Sequence, residues 1–152
     1  MPRFQNTTQK YDHNGNKVLK GLNGIKEHVK NNPGCTIFDS KSEYELFHKF
    51  SEAEQKGEIK NLECQKAFHL IDKRKWWNNV KERWDIIREL VYITDFVFER
   101  EGQRIAVDCK GWKLCKDKKT GKEKFSVYYD EIYKIKKKLF LNMYPEYVFE
   151  EM

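Results

Sequence analysis

The chain contains no apolar run approaching the ~20 residues that a membrane-spanning helix needs. Its opening stretch, Met1–Lys10, is polar and has no apolar segment of the kind a signal peptide carries. The expectation is a protein that stays in the cytoplasm and has no membrane partner. Cysteine is sparse. Cys35, Cys64, Cys109 and Cys115 form no Cys-x-x-Cys pair, and His13, His28, His48 and His69 are scattered. Zinc ligation needs tighter spacing, so the cysteines read as reduced thiols. Internal repeats and long low-complexity tracts are also lacking.

What is present is a 152-residue chain, a length that one core commonly serves. Aromatic residues make up 14% and can fill that core, while 36% charged residues imply a very polar outside. Lys plus Arg number 30 against 24 Asp plus Glu, a net charge of +6, with a pI near 9.0. That balance favours a polyanionic partner.

Residues 1–37 read as an N-terminal arm, rich in Asn, Lys and Gly up to Gly34, with a short helix near Ile25–Lys30. Ser40-Lys41-Ser42-Glu43 fits a capping box, and Leu46, Phe50 and Ala53 then recur at helical spacing until Gly57. A strand-like segment, Ile59–Ile71, follows. The basic and aromatic insertion 73–90 places Trp77, Val80, Trp84 and Ile87 at helical spacing, which predicts a short helix with Trp77 and Trp84 as core. Val91–Phe98 is β-branched and aromatic, a buried strand. Glu101-Gly102 is a turn, Arg104–Lys110 the returning strand, and Lys113–Lys124 a lysine-rich loop. Val127–Met143 predicts a helix with Ile132, Ile135, Leu139 and Met143 on one stripe; Pro145 ends it, and Tyr147-Val148-Phe149 is a last strand. The expected fold is α/β, a mixed central sheet of about four strands flanked by helices.

A two-residue turn at Glu101-Gly102 sets Arg100 opposite Gln103 and, counting back, Asp95 opposite Asp108. Cross-strand partners share a face with Cβ atoms ~5 Å apart, and Lys110, two residues on, shares it too. Phe96, Phe98, Ile105, Val107 and Cys109 fall on the other face. Two carboxylates so close repel each other unless a hard divalent cation lies between them; Mg²⁺ is often held by one or two carboxylates with water and phosphate. The alternative is that Lys110 neutralises one aspartate while the other lies at a sheet end. Glu43 is on the core-facing side of its helix, so it could reach such a site or serve as the capping partner of Ser40.

Asp95, twelve intervening residues and then Asp108-Cys109-Lys110 resemble the D…(D/E)-x-K core of PD-(D/E)XK nucleases, with Glu43 at the acidic position of the first helix. A closer likeness is to small phage-encoded members of that superfamily catalogued as a domain of unknown function. It is carried by Phe38–Glu43, by Gln65 with Phe68 and Leu70, by Tyr92–Val97, by Val107–Gly111, and by the late helix with Lys134 and Lys138 followed by Tyr144–Tyr147. It covers roughly Phe38 to Glu150, within an expected nuclease domain of residues 38–152. Thr94 replaces the superfamily's proline, and the insertion 73–90 lies outside the match. The resemblance implies a restriction-endonuclease-like core and Mg²⁺-dependent cleavage of DNA phosphodiesters, with Mn²⁺ able to substitute. Asp95, Asp108, Glu43 and the main-chain carbonyl of Cys109 would hold metal, Lys110 would orient or activate the attacking water, and Gln65 would orient the set. A homodimer, DNA as partner and no small organic cofactor go with it. If phage-encoded, the protein works in the host cytoplasm, for example on recombining DNA or Holliday junctions.

Lys113, Lys116, Lys118, Lys119, Lys122 and Lys124 crowd one segment after this site, and Lys134, Lys137 and Lys138 lie on one side of the last helix. Both groups suit phosphate contacts, and Trp76, off the apolar stripe of its segment, suits stacking on unpaired bases. The rival to an endonuclease is a non-catalytic DNA-binding or host-interaction module keeping the fold; an RNA-directed nuclease is the third class.

Overall fold

The computed structural model describes residues 9–18, 21–34, 36–109, 112–116, 118–127 and 131–152. The chain divides into two compact units, Met1–Leu62 and Glu63–Met152.

In the first unit, β1 (Lys10–Asp12) pairs antiparallel with β2 (Lys17–Val18); helix α1 (Gly21–Asn31) follows, and β3 (Ile37–Phe38) pairs with the other edge of β1. The described residues between 9 and 37 thus include the helix expected near Ile25–Lys30, within α1, and short strand pairings around it, and the division between units falls after Leu62. Part of the Asn-rich composition serves a turn. Asp12, fully buried, accepts hydrogen bonds from the backbone amides of Asn14 and Asn16 (2.9 and 2.8 Å) and from the Asn16 side-chain amide (3.0 Å). His28 Nε2 lies 3.0 Å from the same carboxylate. Burial pushes the Asp12 pKa up, but the hydrogen bonds from Asn16, His28 and Asn14 outweigh it and hold the carboxyl at about 2.

Helix α2 (Lys41–Gln55) starts where the capping box predicts. The Glu43 amide donates to Ser40 Oγ (3.2 Å), while the Glu43 carboxylate accepts from the Asp39 amide (3.1 Å) and the Ser40 hydroxyl (3.3 Å). Gly57, at φ +77°, ends it in the left-handed conformation that favours glycine. Phe50 is buried, and Phe47 packs on Phe38 with ring centroids 5.0 Å apart.

Strand β4 (Lys60–Ile71) leads into the second unit. There follow β5 (Arg74–Asn78), β6 (Arg83–Ile87), β7 (Leu90–Arg100), β8 (Gln103–Asp108), β9 (Trp112–Lys116), β10 (Glu123–Val127), α3 (Glu131–Met143) and β11 (Tyr147–Glu151). The central sheet has the order β11-β8-β7-β4, with β8 antiparallel to β7 and parallel to β11. A four-stranded mixed sheet in a mixed α/β unit is the fold the sequence predicts, and it is consistent with a restriction-endonuclease-like core. One core joins Phe68, Leu70, Tyr92, Val97, Ala106, Tyr133 and Phe140, with Phe149 packed against it. Phe96, Phe98, Ile105 and Val107, at alternate positions, are buried as well.

Three local expectations are corrected. Residues 74–87 form an antiparallel ribbon, β5 with β6, not a helix; Trp77 and Trp84 sit directly across from each other and are 45% and 63% exposed, so they are not core. Tryptophan and β-branched isoleucine favour a pleated surface, and Asn78 builds the turn by accepting from the amides of Val80 and Lys81 (both 3.1 Å). The lysine-rich loop contains a second ribbon, β9 with β10. Val127 ends β10, so the last helix begins at Glu131, and it turns Tyr133 and Phe140 inward while Ile132, Ile135 and Met143 stay exposed. The larger aromatic rings win the core positions because they bury more area per residue. Among the described residues, no helix is long and apolar enough to cross a membrane.

Candidate metal centre

The β7–β8 hairpin is built on Glu101-Gly102, both with positive φ (+52° and +77°), as a type I′ turn requires. From that turn the ladder runs from Arg100 opposite Gln103 to Phe96 opposite Val107. Asp95 and Asp108 are the next residues on the two strands, as the sequence count places them. Asp108 is 5% exposed and Asp95 partly buried. The backbone N–H of Cys109, just past Asp108, donates to Asp95 Oδ2 at 2.5 Å, so the side chain of one strand closes onto the main chain of the other.

Asp108 has a partner that the sequence count misses. The Tyr92 hydroxyl donates to its Oδ2 at 3.0 Å. Tyr92 and Val97 both belong to the same core cluster although they stand five positions apart on β7. A strict two-residue alternation cannot do this, so the side-chain pattern of β7 shifts by one between these positions. Burial, then the charge and hydrogen bond of Asp108, then the charge of Asp95, push the Tyr92 phenol far above its ordinary pKa. It therefore remains a neutral donor that fixes one carboxylate oxygen.

The acidic row continues onto β11, where Glu151 is the parallel partner of Asp108. The Tyr133 hydroxyl donates to Glu151 Oε1 (2.9 Å), and Lys137 forms an ion pair with the same oxygen. Burial and the hydrogen bond to Glu151 push the Tyr133 phenol up as well. Tyr92, Tyr133, Asp108 and Lys136 line one open cavity of about 350 Å³ together with Ile93 and Ile132. Tyr133, Glu151 and Lys136 were not singled out from sequence, Tyr92 entered only as part of the Tyr92–Val97 motif, and Lys137, expected to contact phosphate, is paired with Glu151. The two-residue period through Tyr147 and Phe149 reaches Glu151 and could have found it.

The remaining expected site residues distribute as follows. Gln65 is exposed on β4 with a left-handed φ of +53°, a bulge in the strand. Its neighbour Lys66 accepts a hydrogen bond from the buried Thr94 hydroxyl (3.5 Å), which puts Gln65 one residue from the crossing of β4 and β7 beside Asp95. Glu43 belongs to the first unit and is engaged in the capping box; burial, above all, raises its pKa. Lys110 lies outside the described residues, as do the side chains of Lys113 and Lys116. Lys118 and Lys119 are exposed in the turn between β9 and β10. Lys138 is exposed, and Lys134 bonds to Glu131 (2.9 Å) at the helix surface. Trp76 is 46% exposed.

Among the described residues, no three His, Cys, Asp or Glu side chains cluster as a ready metal cage. Asp95 and Asp108 form a smaller set of hard oxygen donors on neighbouring strands, each with one oxygen oriented by an N–H or O–H donor. That set fits Mg²⁺, which binds through one or two carboxylates and completes its shell with water, and does not suit a thiolate-seeking metal.

Residues 30–150 match the family model described as "Protein of unknown function (DUF1064)". No curated protein and no solved structure matches the chain.

Proposed function

The chain belongs to the DUF1064 family, and on that premise we propose that it is a divalent-metal-dependent endonuclease of the PD-(D/E)XK kind, acting on DNA. The observation that carries this reading is the pair Asp95 and Asp108 at the end of the β7–β8 ladder, tied together through the Cys109 amide. Lys136 at the rim of the Asp108 cavity adds a cation where a phosphate would enter. The basic charge of the chain fits a polyanionic substrate.

Asp95, Asp108 and the Cys109 carbonyl would hold Mg²⁺ or Mn²⁺. Such a cation supplies Lewis-acid stabilisation of the phosphoryl oxygens and a lowered pKa for bound water. Tyr92 keeps Asp108 in one orientation, and buried Thr94 anchors β7 to β4 next to Asp95. Lys110, by its place two residues after Asp108, would orient the attacking water as a compact cation; Gln65 would help position it. Glu43 retains the role that the superfamily pattern gives it as a part of this proposal, beside its capping hydrogen bonds. A phage enzyme for recombining or branched DNA, working as a homodimer, is the specific form of the proposal.

The test is incubation with plasmid and with linear, nicked, flap and four-way-junction DNA in Mg²⁺, Mn²⁺ or EDTA. Metal-dependent cutting that Asp108→Ala abolishes is the expected result. Tight binding without cutting by the wild type would replace the enzyme with a binding module, and cutting of RNA alone would change the substrate.

A further inference from the structure

The β5–β6 ribbon exposes a cluster of large apolar side chains, and nothing in the proposed chemistry uses it. Its register puts Lys75 opposite Ile86 and Trp77 opposite Trp84, so these four side chains share one face. The two indoles meet edge to face, centroids 5.6 Å apart and planes 69° apart. Trp77, Trp84 and Ile86 are 45%, 63% and 55% exposed. An apolar patch of this kind on a surface otherwise rich in charge marks an interaction site. The ribbon is also built to hold its shape. On the opposite face, the Asp85 carboxylate accepts from the Asn78 side chain (2.8 Å) and from Arg83 Nε (2.9 Å), and these bonds, the Asn78 one first, lower its pKa.

We infer that this ribbon is a stacking platform for an unpaired polynucleotide strand, with bases laid on Trp77 and Trp84 and phosphates beside the surrounding cations. The choice of occupant follows from charge. Residues 73–88 carry six cations (Lys73, Arg74, Lys75, Lys81, Arg83 and Arg88) against two carboxylates, Glu82 and Asp85. All six cations are exposed. Lys75 shares the face of the indoles, while Arg74 and Arg83 lie on the other face; pairing the ribbon with itself in a two-fold dimer would bring these like charges together, whereas a phosphate backbone neutralises them. Every base has a π-face, so stacking on indole needs no particular sequence.

The placement links the ribbon to the proposed nuclease, and the identity of the strand as substrate rests on that reading. Only Arg88 and Glu89 separate β6 from β7, and Asp95 lies eleven residues along the chain from Trp84, at most roughly 36 Å of extended chain. That is about eleven nucleotides of a stacked strand, so a single strand of that length resting on the indoles can reach the carboxylates. A substrate with unpaired nucleotides flanking the cut, such as a flap or a junction arm, satisfies both elements.

The experiment measures binding in EDTA, where cleavage plays no part. Fluorescein-labelled oligothymidylate and oligouridylate of roughly 12–16 nucleotides, and a duplex of equal length, are titrated by anisotropy, with the intrinsic tryptophan emission followed in parallel. Wild-type protein is expected to bind the single strands more tightly than the duplex, to lose affinity as salt rises, and to show quenched emission. Trp77→Ala/Trp84→Ala should weaken single-strand binding roughly tenfold or more, while Trp77→Phe/Trp84→Phe retains most of it; circular dichroism checks that each variant is folded. Unchanged single-strand affinity in the folded alanine variant overturns the inference. So does a fall from dimer to monomer in that variant with strand binding intact, which would assign the face to a second copy of the chain. Strand binding that needs the indoles, in a protein that cuts nothing in Mg²⁺, would leave this inference standing and remove the nuclease reading.

Discussion

The second unit contains two hairpins that differ in almost every physical respect. The β7–β8 hairpin closes on a tight type I′ turn, buries Phe96, Phe98, Ile105 and Val107, and delivers two aspartates to its open end. The β5–β6 ribbon closes on a turn organised by Asn78, leaves three tryptophans largely in solvent, and presents cations. A strand pair buried on both faces, by Val97 and Ala106 on one and Phe96, Phe98, Ile105 and Val107 on the other, is held firmly enough to carry two like charges at its open end. A ribbon without such burial is organised by its own polar turn and pairing, and its exposed surface has value only through what it binds.

The comparison can be broken most forcefully at Asp108. Asp108→Ala should reduce metal-dependent DNA cleavage roughly a thousandfold, measured as initial rate on plasmid, with the fold kept. Phe140→Ala empties the centre of the core under β7 and should cost about 3–5 kcal/mol in denaturant unfolding, whereas Trp84→Ala, on the exposed ribbon, should stay within about 0.5 kcal/mol. Equal costs at the two sites would erase the distinction between the hairpins. Tyr92→Phe removes the donor to Asp108 Oδ2 and should weaken metal affinity about 10–100-fold, read by Mn²⁺ titration, with a smaller change in stability.

A smaller effect separates the first unit from both hairpins. The Asp12 carboxyl titrates at about 2 in the fold against 3.8 ordinarily. Its contribution to stability is therefore complete above pH ~4 and lost as pH falls from about 4 through 2. Unfolding followed from pH 6 to 2 should show this decline in the wild type, and Asp12→Asn should flatten it while lowering stability at neutral pH. Smallest of all, Glu101→Asn places a residue tolerant of positive φ in the type I′ turn and should stabilise by roughly 0.5–1 kcal/mol, seen as a raised Tm.

Local chemistry explains which parts were legible. The capping box of Ser40 and Glu43, the Glu-Gly turn and the β-branched run of β7 each state their structure in a few adjacent residues, and counting from the turn places the two aspartates. The ribbon was illegible because Trp77, Val80, Trp84 and Ile87 fit a helical period by spacing, while the bonds that make them a ribbon come from Asn78 and cross-strand pairing. Tyr92 escaped because the alternation of β7 shifts before Val97, and Tyr133 because isoleucines form a neater stripe than the aromatic rings that fill the core. The two-residue period through Tyr147 and Phe149 points Glu151 inward, but only the long-range parallel pairing of β11 with β8 sets it opposite Asp108.

Most direct is a measurement of the cation itself. Mn²⁺ binding followed by electron paramagnetic resonance in wild type, Asp95→Asn and Asp108→Asn should reveal a site in the wild-type chain that weakens sharply in each variant. Mn²⁺ bound with undiminished affinity when both aspartates are replaced would contradict the account, because no chemistry for phosphodiester cleavage would then remain at the end of that hairpin.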